Sequence, residues 1–256
     1  MMRAPLDDAH CHVAFLQDPE AFARDAAGAG SRVLAVTVTP DEFSRCASFL
    51  GGSVSWAVGL HPWWVPTDEE ACAEVLARFD SVASSGVRFV GEVGLDFSSR
   101  HEGNRALQVR AFDHVARTCA NIPGALISIH AVRSASAVLD ILEETGCASA
   151  CSCVLHWFSG SSDELTRARH LGCFFSVGRR MLATKRGRAY TRAIPPDRLI
   201  LETDAPWGDE TVDFAAIEGE LEHTLDLLAR ERGERPDDTA CALRRVGDVL
   251  FGAGAR

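Results

Sequence analysis

The chain has 256 residues, 46% hydrophobic and 24% charged, with 36 acidic against 26 basic side chains and a formal net charge of −10. Apolar content of this order excludes a disordered chain, and no uncharged apolar run approaches the roughly 18 residues needed to span a bilayer. The acidic balance excludes a protein that coats nucleic acid through bulk electrostatics, so any phosphate site must be local. At the N-terminus, MMRAPLDDAHC sets acidic residues and a histidine where a leader would carry its apolar stretch, and the expectation is a cytoplasmic protein. Nine cysteines (11, 46, 72, 119, 147, 151, 153, 173 and 241) follow no zinc-ribbon spacing, which suggests reduced, mostly buried thiols.

Short apolar, β-branched runs recur along the chain. After a first strand around LDDAHCHV (6–13) come SRVLAVTVT (31–39), VSWAVGL (54–60), VRFVGEVGL (87–95), ALISIH (125–130), CVLHWF (153–158), CFFSVG (173–178) and RLILETD (198–204). Between them lie stretches of helical spacing, among them EEACAEVLARF (69–79), LQVRAFDHVARTCA (107–120), SASAVLDILEET (134–145) and DELTRARHL (163–171). No linker or repeat divides the sequence. Eight strands alternating with helices at about 30 residues per unit predict one α/β domain over 1–256, a single (β/α)8 TIM-type barrel. A doubly wound sheet is the alternative.

Metal-ligand residue types fall at or near the C-terminal ends of these runs: His10 and His12, His61, Glu92, His130, His156 and Asp204. A lone histidine there is more often structural. In a barrel, however, all strand ends open on one face, where such enzymes keep their sites, and five histidines with two carboxylates point to a metal centre. His10 and His12, one residue apart on a strand, face the same side, with Cys11 facing the other. Imidazole suits zinc and similar ions, and carboxylates bridge cations and accept magnesium or manganese. Such a set can hold two divalent ions, which activate water and clamp the oxygens of an in-line phosphoryl displacement. The only lysine, Lys185, follows the seventh run, so no carboxylated lysine can bridge at a central strand. Glu92 is the natural bridging ligand, against the plainer reading of a buried glutamate paired with arginine. His101, His114, His170 and His223 lie in loop or helix contexts and read as solvent-exposed.

The ordered motifs DAHCHV (8–13), GLHP (59–62), VGEVGLDF (90–97), Gln108 with Phe112, ISIH (127–130), VLHWFSG (154–160), FFSVG (174–178), LILETDAPW (199–207) and LRRVGDVLFG (243–252) resemble the TatD family of metal-dependent deoxyribonucleases. Within it, HWFSGSSDELTRARHLGCFFSVGRRML (156–182) and IHAVRSASAVLDIL (129–142) are most similar to QatD, the TatD-type subgroup of the Qat anti-phage defence system. The resemblance implies a DNA substrate, an exonucleolytic hydrolase and Qat-system partner proteins. It also implies two divalent ions (Mg, Mn or Zn), with His10 and His12 on the first, Glu92 bridging, His130 and His156 on the second, and Asp204 as ligand and base for the attacking water. His61 is implied to contact substrate or support the ligands. Another metal-dependent ester or amide hydrolysis, such as aminoacyl-tRNA deacylation, and a defence subunit active only when assembled are the alternatives.

Two departures from the family pattern stand out. Trp63 and Trp64 follow GLHP where the family often has a second histidine, and they can stack on a base or pack under the loop. The segment WGDETVDFAAIEGE (207–220) lacks the basic, asparagine-containing stretch common in the family. In compensation, RRMLATKRGRAYTRAIPPDR (179–198) holds seven basic residues and one acidic one. Arg179 and Arg180 there, with Ser159 in the Ser159-Gly160-Ser161 turn, are candidate phosphate contacts; a plain solvated helix is the competing reading.

Overall fold

The computed structural model describes residues 4–46 and 52–252. The start of the N-terminal segment (1–3) and the side chain of His101 lie outside the described residues. Eight strands, β1 (Asp8–Cys11), β2 (Val33–Val36), β3 (Val54–Leu60), β4 (Phe89–Asp96), β5 (Leu126–Val132), β6 (Ser152–His156), β7 (Phe174–Val177) and β8 (Leu199–Leu201), pair in parallel and in sequence order. The circle is nearly closed just beyond β8, where the Asp204 N–H donates to the His10 carbonyl and the His12 N–H to the Ala205 carbonyl, both at 2.9 Å. Strand order never reverses, which removes the doubly wound alternative.

Helices fill the crossovers: α1 (Pro19–Ala29), α2 (Pro40–Cys46), α3 (Glu69–Ala83), α4 (Arg105–Cys119), α5 (Ala135–Glu144), the one-turn α6 (Cys147–Ala150), α7 (Ser162–His170), α8 (Arg179–Leu182), α9 (Lys185–Ala193), α10 (Phe214–Arg232) and α11 (Pro236–Phe251). Their starts carry local signals. Asp18, Asp68 and Asp213 cap α1, α3 and α10 through their carboxylates, and Ser161 with Glu164 forms a full capping box on α7. The basic stretch is not a free loop: it folds as α8 and α9, and Arg179, Arg188 and Arg192 pair with Glu220 and Glu231 of α10.

Two apolar layers hold the barrel. Outward-facing strand residues such as Ala35, Val58, Ile127, Leu155 and Phe175 pack under the helices with Phe22, Phe79, Phe112 and Leu139. Inside, Leu34, Leu126, Val154, Phe174 and Ile200 form a plug closed from below by Val246 and Leu250 of α11. Because side chains alternate along a strand, residues two and four further on share the interior. Above Leu126 stand Ser128 and His130, above Val154 stands His156, above Phe174 stands Ser176, and above Ile200 stand Glu202 and Asp204. Simple alternation fails in two places. β1 and β4 each carry one extra residue against their neighbours, between Asp8 and Cys11 and between Val90 and Val93. Those irregularities lie at His10 and Glu92, and re-aiming a side chain is what a bulge does.

Among the described residues no disulfide forms, and Cys241 is the one exposed cysteine. No helix among them is long and apolar enough to cross a membrane.

Candidate metal centre

The five strand-end histidines converge on the buried carboxylate of Glu92. Its Oε2 lies 3.3 Å from His10 Nε2 and 3.4 Å from His12 Nε2, and its Oε1 lies 2.7 Å from His130 Nδ1, 3.4 Å from His61 Nε2 and 4.0 Å from His156 Nε2. Asp204 Oδ1 is 3.8 Å from His10 Nε2 and 3.6 Å from His12 Nε2. Among the described residues, three overlapping groups have ligand atoms close enough for a single cation: His10, Glu92 and His156; His10, His12 and Asp204; His61, Glu92 and His130. The His10 and His156 rings stack at 3.8 Å between centroids. Asp204 adopts a left-handed backbone (φ 56°), as does Trp157 directly after His156 (φ 39°). Such conformations are costly for non-glycine residues and cluster at functional sites.

A set of buried neighbours orients the imidazoles, and the sequence reading did not single these out. Ser128 Oγ lies 2.8 Å from His10 Nδ1, and Glu202 Oε2 lies 2.7 Å from His156 Nδ1 while also accepting from the Ser176 hydroxyl. Asp96 Oδ2 lies 3.3 Å from His130 Nε2 and accepts from the Trp63 indole at 2.6 Å. Asp8 ties β1 to the end of β8, accepting from the His10 and Thr203 N–H groups and from the Thr203 hydroxyl. Each of these polar residues interrupts an apolar run at a position sharing the ligands' face, as Ser128 does in ISIH and Glu202 in LILETD. That was the available signal.

The donor set suits cations. Among the described residues, the buried His10 Nε2 has no hydrogen-bond partner, although it faces two carboxylates. Burial, then the neighbouring His156, pushes His10 below the usual imidazole range, so its ring is neutral with a lone pair to offer. His61 is lowered by burial as well. Burial would raise Glu92, but His61 and His10 outweigh it and hold the carboxyl well below its ordinary value. Burial opposes charge on His156 too, yet the Glu202 carboxylate against Nδ1 prevails and raises it to about 10. A neutral nitrogen beside a fixed anion in a nearly dry site is what a divalent ion binds.

Above the cluster opens a cavity of about 200 Å³ lined by His12, Phe15, Val38, His61, Trp63, Trp64, Glu92, His130, His156 and Asp204. The remaining expected substrate contacts lie outside it. Ser159 lines a second cavity of about 720 Å³ with Arg133, Arg186 and Tyr190. The Arg180 guanidinium sits 5.9 Å from the centroid of the Trp157 ring, and Arg179 turns to Glu220 at 2.7 Å. Of the four other histidines, His170 and His223 are exposed, and His114 is half-buried against Asp80 at 2.9 Å.

The family model of TatD-related DNases matches residues 7–252. This chain belongs to that family. It is accordingly a TatD-type deoxyribonuclease, a hydrolase acting on DNA. The 3'-5' ssDNA/RNA exonuclease TatD of Escherichia coli K12 is 30% identical over 256 aligned positions, covering 93% of this chain and 94% of that protein. The deoxyribonuclease Tat-D of Schizosaccharomyces pombe is 28% identical over 158 residues, 59% of this chain and half of that protein. Among solved structures, YjjV, a TatD homologue from Escherichia coli K12, superposes with a TM-score of 0.78 at 24% identity, covering 98% of this chain and all of the other. That superposition establishes the shared barrel.

Proposed function

We propose that the chain, acting as one unit over 1–256, is an exonuclease that hydrolyses DNA from a strand end with two divalent ions (Mg, Mn or Zn), in the cytoplasm, as the nuclease of a Qat-type anti-phage system. The observation that carries the reading is the convergence of five imidazoles on the buried carboxylate of Glu92, with Asp204 against His10 and His12 at its edge. The exonuclease names of full-length relatives support the direction of attack from an end.

His10, His12 and Asp204 would hold one ion and His130 with His156 the other, with Glu92 shared between them. Bound there, divalent ions lower the pKa of water and neutralise charge developing on the phosphoryl oxygens. The protein's own part is positional. Ser128, Asp96 and Glu202 lock the rings of His10, His130 and His156, so the ligand nitrogens need no reorganisation when substrate arrives. Asp204, with a side chain 24% exposed against 3% for Glu92, is the carboxylate open to the cavity. It would orient the attacking water and accept its proton. His61, edge-on to Trp63 and Trp64, lines the same cavity and would meet substrate there.

The test is degradation of end-labelled single- and double-stranded oligonucleotides by metal-stripped protein, with magnesium, manganese or zinc restored and Glu92→Ala alongside. Cleavage that requires metal and is lost in the variant supports the reading; cleavage that survives in Glu92→Ala overturns it. A second reading, a defence subunit active only when assembled, is favoured by the engagement of Arg179, Arg188 and Arg192 with α10 carboxylates, which leaves fewer cations for phosphate. Activity that appears only on adding co-purified Qat partners would select it.

A further inference from the structure

Six large apolar side chains are exposed among the described residues, and three of them, Phe15, Trp63 and Trp64, line the cavity over the ligand cluster. Scattered exposed apolar residues need no explanation, whereas a cluster at the mouth of a polar site marks a contact surface. Trp63 and Trp64 are 46% and 44% exposed, and their rings lie within 19° of parallel with centroids 6.2 Å apart. The surface is held rigidly. Trp63 Nε1 donates to Asp96, which also meets His130, and His61 lies edge-on to both indoles at 5.0 and 5.2 Å. Phe15 presents a further face to the cavity, stacked on His12 at 5.3 Å and 9°.

We propose that Trp63, Trp64 and Phe15 form a stacking subsite for one unpaired nucleobase at the end of the strand, beside the metal cluster. The inference rests on the nuclease reading and names how that site grips its substrate. A terminal phosphodiester brought to Glu92 and Asp204 carries its base one sugar away, at the cavity wall where the indoles stand. Aromatic faces accept any base by stacking, without reading its sequence. A chain of net charge −10 has no bulk attraction for a polyanion, so contact with the base supplies affinity that phosphate contacts do not. A base within a duplex has its faces covered by its neighbours and offers less to such a surface.

The decisive experiment measures binding by tryptophan fluorescence of metal-stripped protein, using single-stranded octanucleotides with intact termini or with an abasic site at one end or the other. Quenching by the intact strand, and binding weakened about ten-fold by an abasic site at one end, are expected. Trp64→Ala should weaken the intact strand to a similar degree and leave the end-abasic strand unchanged, and Trp64→Phe should recover most of the loss. Equal binding of intact and abasic strands, or equal weakening of both by Trp64→Ala, overturns the subsite. Cleavage by metal-loaded protein that ignores the terminal base overturns the subsite alone. No cleavage of any strand with any metal, together with unchanged fluorescence, overturns the nuclease reading and the subsite with it.

Discussion

Replacing Glu202 with glutamine probes the centre through a residue that is not among its expected ligands. The amide oxygen can still accept from His156 Nδ1–H, so the ring keeps its direction while the buried charge disappears. Against His156 in the metal-free protein, that charge is large in effect. The gap between the ordinary 6.5 and about 10 corresponds to about 5 kcal/mol in favour of the imidazolium. A divalent ion must displace this proton, so apparent affinity should rise about ten-fold per pH unit from this group between pH 7 and 9. His130, also raised because Asp96 and Glu92 outweigh its burial, adds to the release. In Glu202→Gln, Asp204 and Glu92 still favour the imidazolium, but burial opposes it without its largest counterweight, and His156 should fall from about 10 toward its ordinary range. Calorimetric zinc titrations at pH 8, in two buffers of different ionisation enthalpy, should therefore count about one proton fewer per variant molecule. Activity at saturating metal should drop roughly 10- to 100-fold, as loss of an outer partner of a ligand does. The raised pKa has a stability sign as well: its contribution to the metal-free fold is complete below pH 6.5 and is lost as pH climbs through about 10. The variant's urea midpoint should lack that decline. Identical proton counts for the two proteins would refute the assignment of the proton to the His156–Glu202 pair.

Glu92→Gln keeps the shape but removes the anion on which the imidazoles converge, and cleavage should fall by more than the roughly 100-fold expected for an outer partner, with the far-ultraviolet dichroism unchanged. Phe175→Ala empties a fully buried site packed edge-on against Phe158, and denaturant unfolding should show a loss of about 3–5 kcal/mol. Gly247→Ala would set a Cβ 2.0 Å from Asp7 Oδ2 and 2.6 Å from Arg32 Nη2, breaking the network of buried Asp7 with the half-buried Arg32 and Arg244 under the barrel. A fall in thermal midpoint with activity per folded molecule retained is expected, because the network lies at the end of the barrel away from the ligands.

Much of the architecture was legible because local and global demands agree. Parallel strands buried on both faces read as continuous apolar runs, as Val33–Val36 does, and the run 54–60 coincides with β3. The ligand types were visible for a related reason: a histidine or carboxylate ending such a run has no place in an apolar core. The supporting residues were harder to read. Ser128, Asp96 and Glu202 are ordinary polar residues until Ser128 meets a ring 118 positions away in sequence and Glu202 one 46 positions away. The partners of the basic stretch were hidden for a similar reason, since its composition could not show that α10 would supply Glu220 and Glu231 to receive Arg179, Arg188 and Arg192.

By itself, then, the amino-acid order determined the alternation of strands and helices, the face of the barrel on which the polar ends gather and the kind of chemistry those ends permit. These follow from periodicities of 2 and 3.6 residues and from side-chain chemistry, which are properties of the chain alone. Tertiary structure decided which nitrogen of each histidine faces the centre, that extra residues in β1 and β4 accompany His10 and Glu92 at the interior, and that Trp63 is tied through Asp96 to His130. Those outcomes depend on strand register and on partners distant in sequence, and both are set only when the sheet closes on itself.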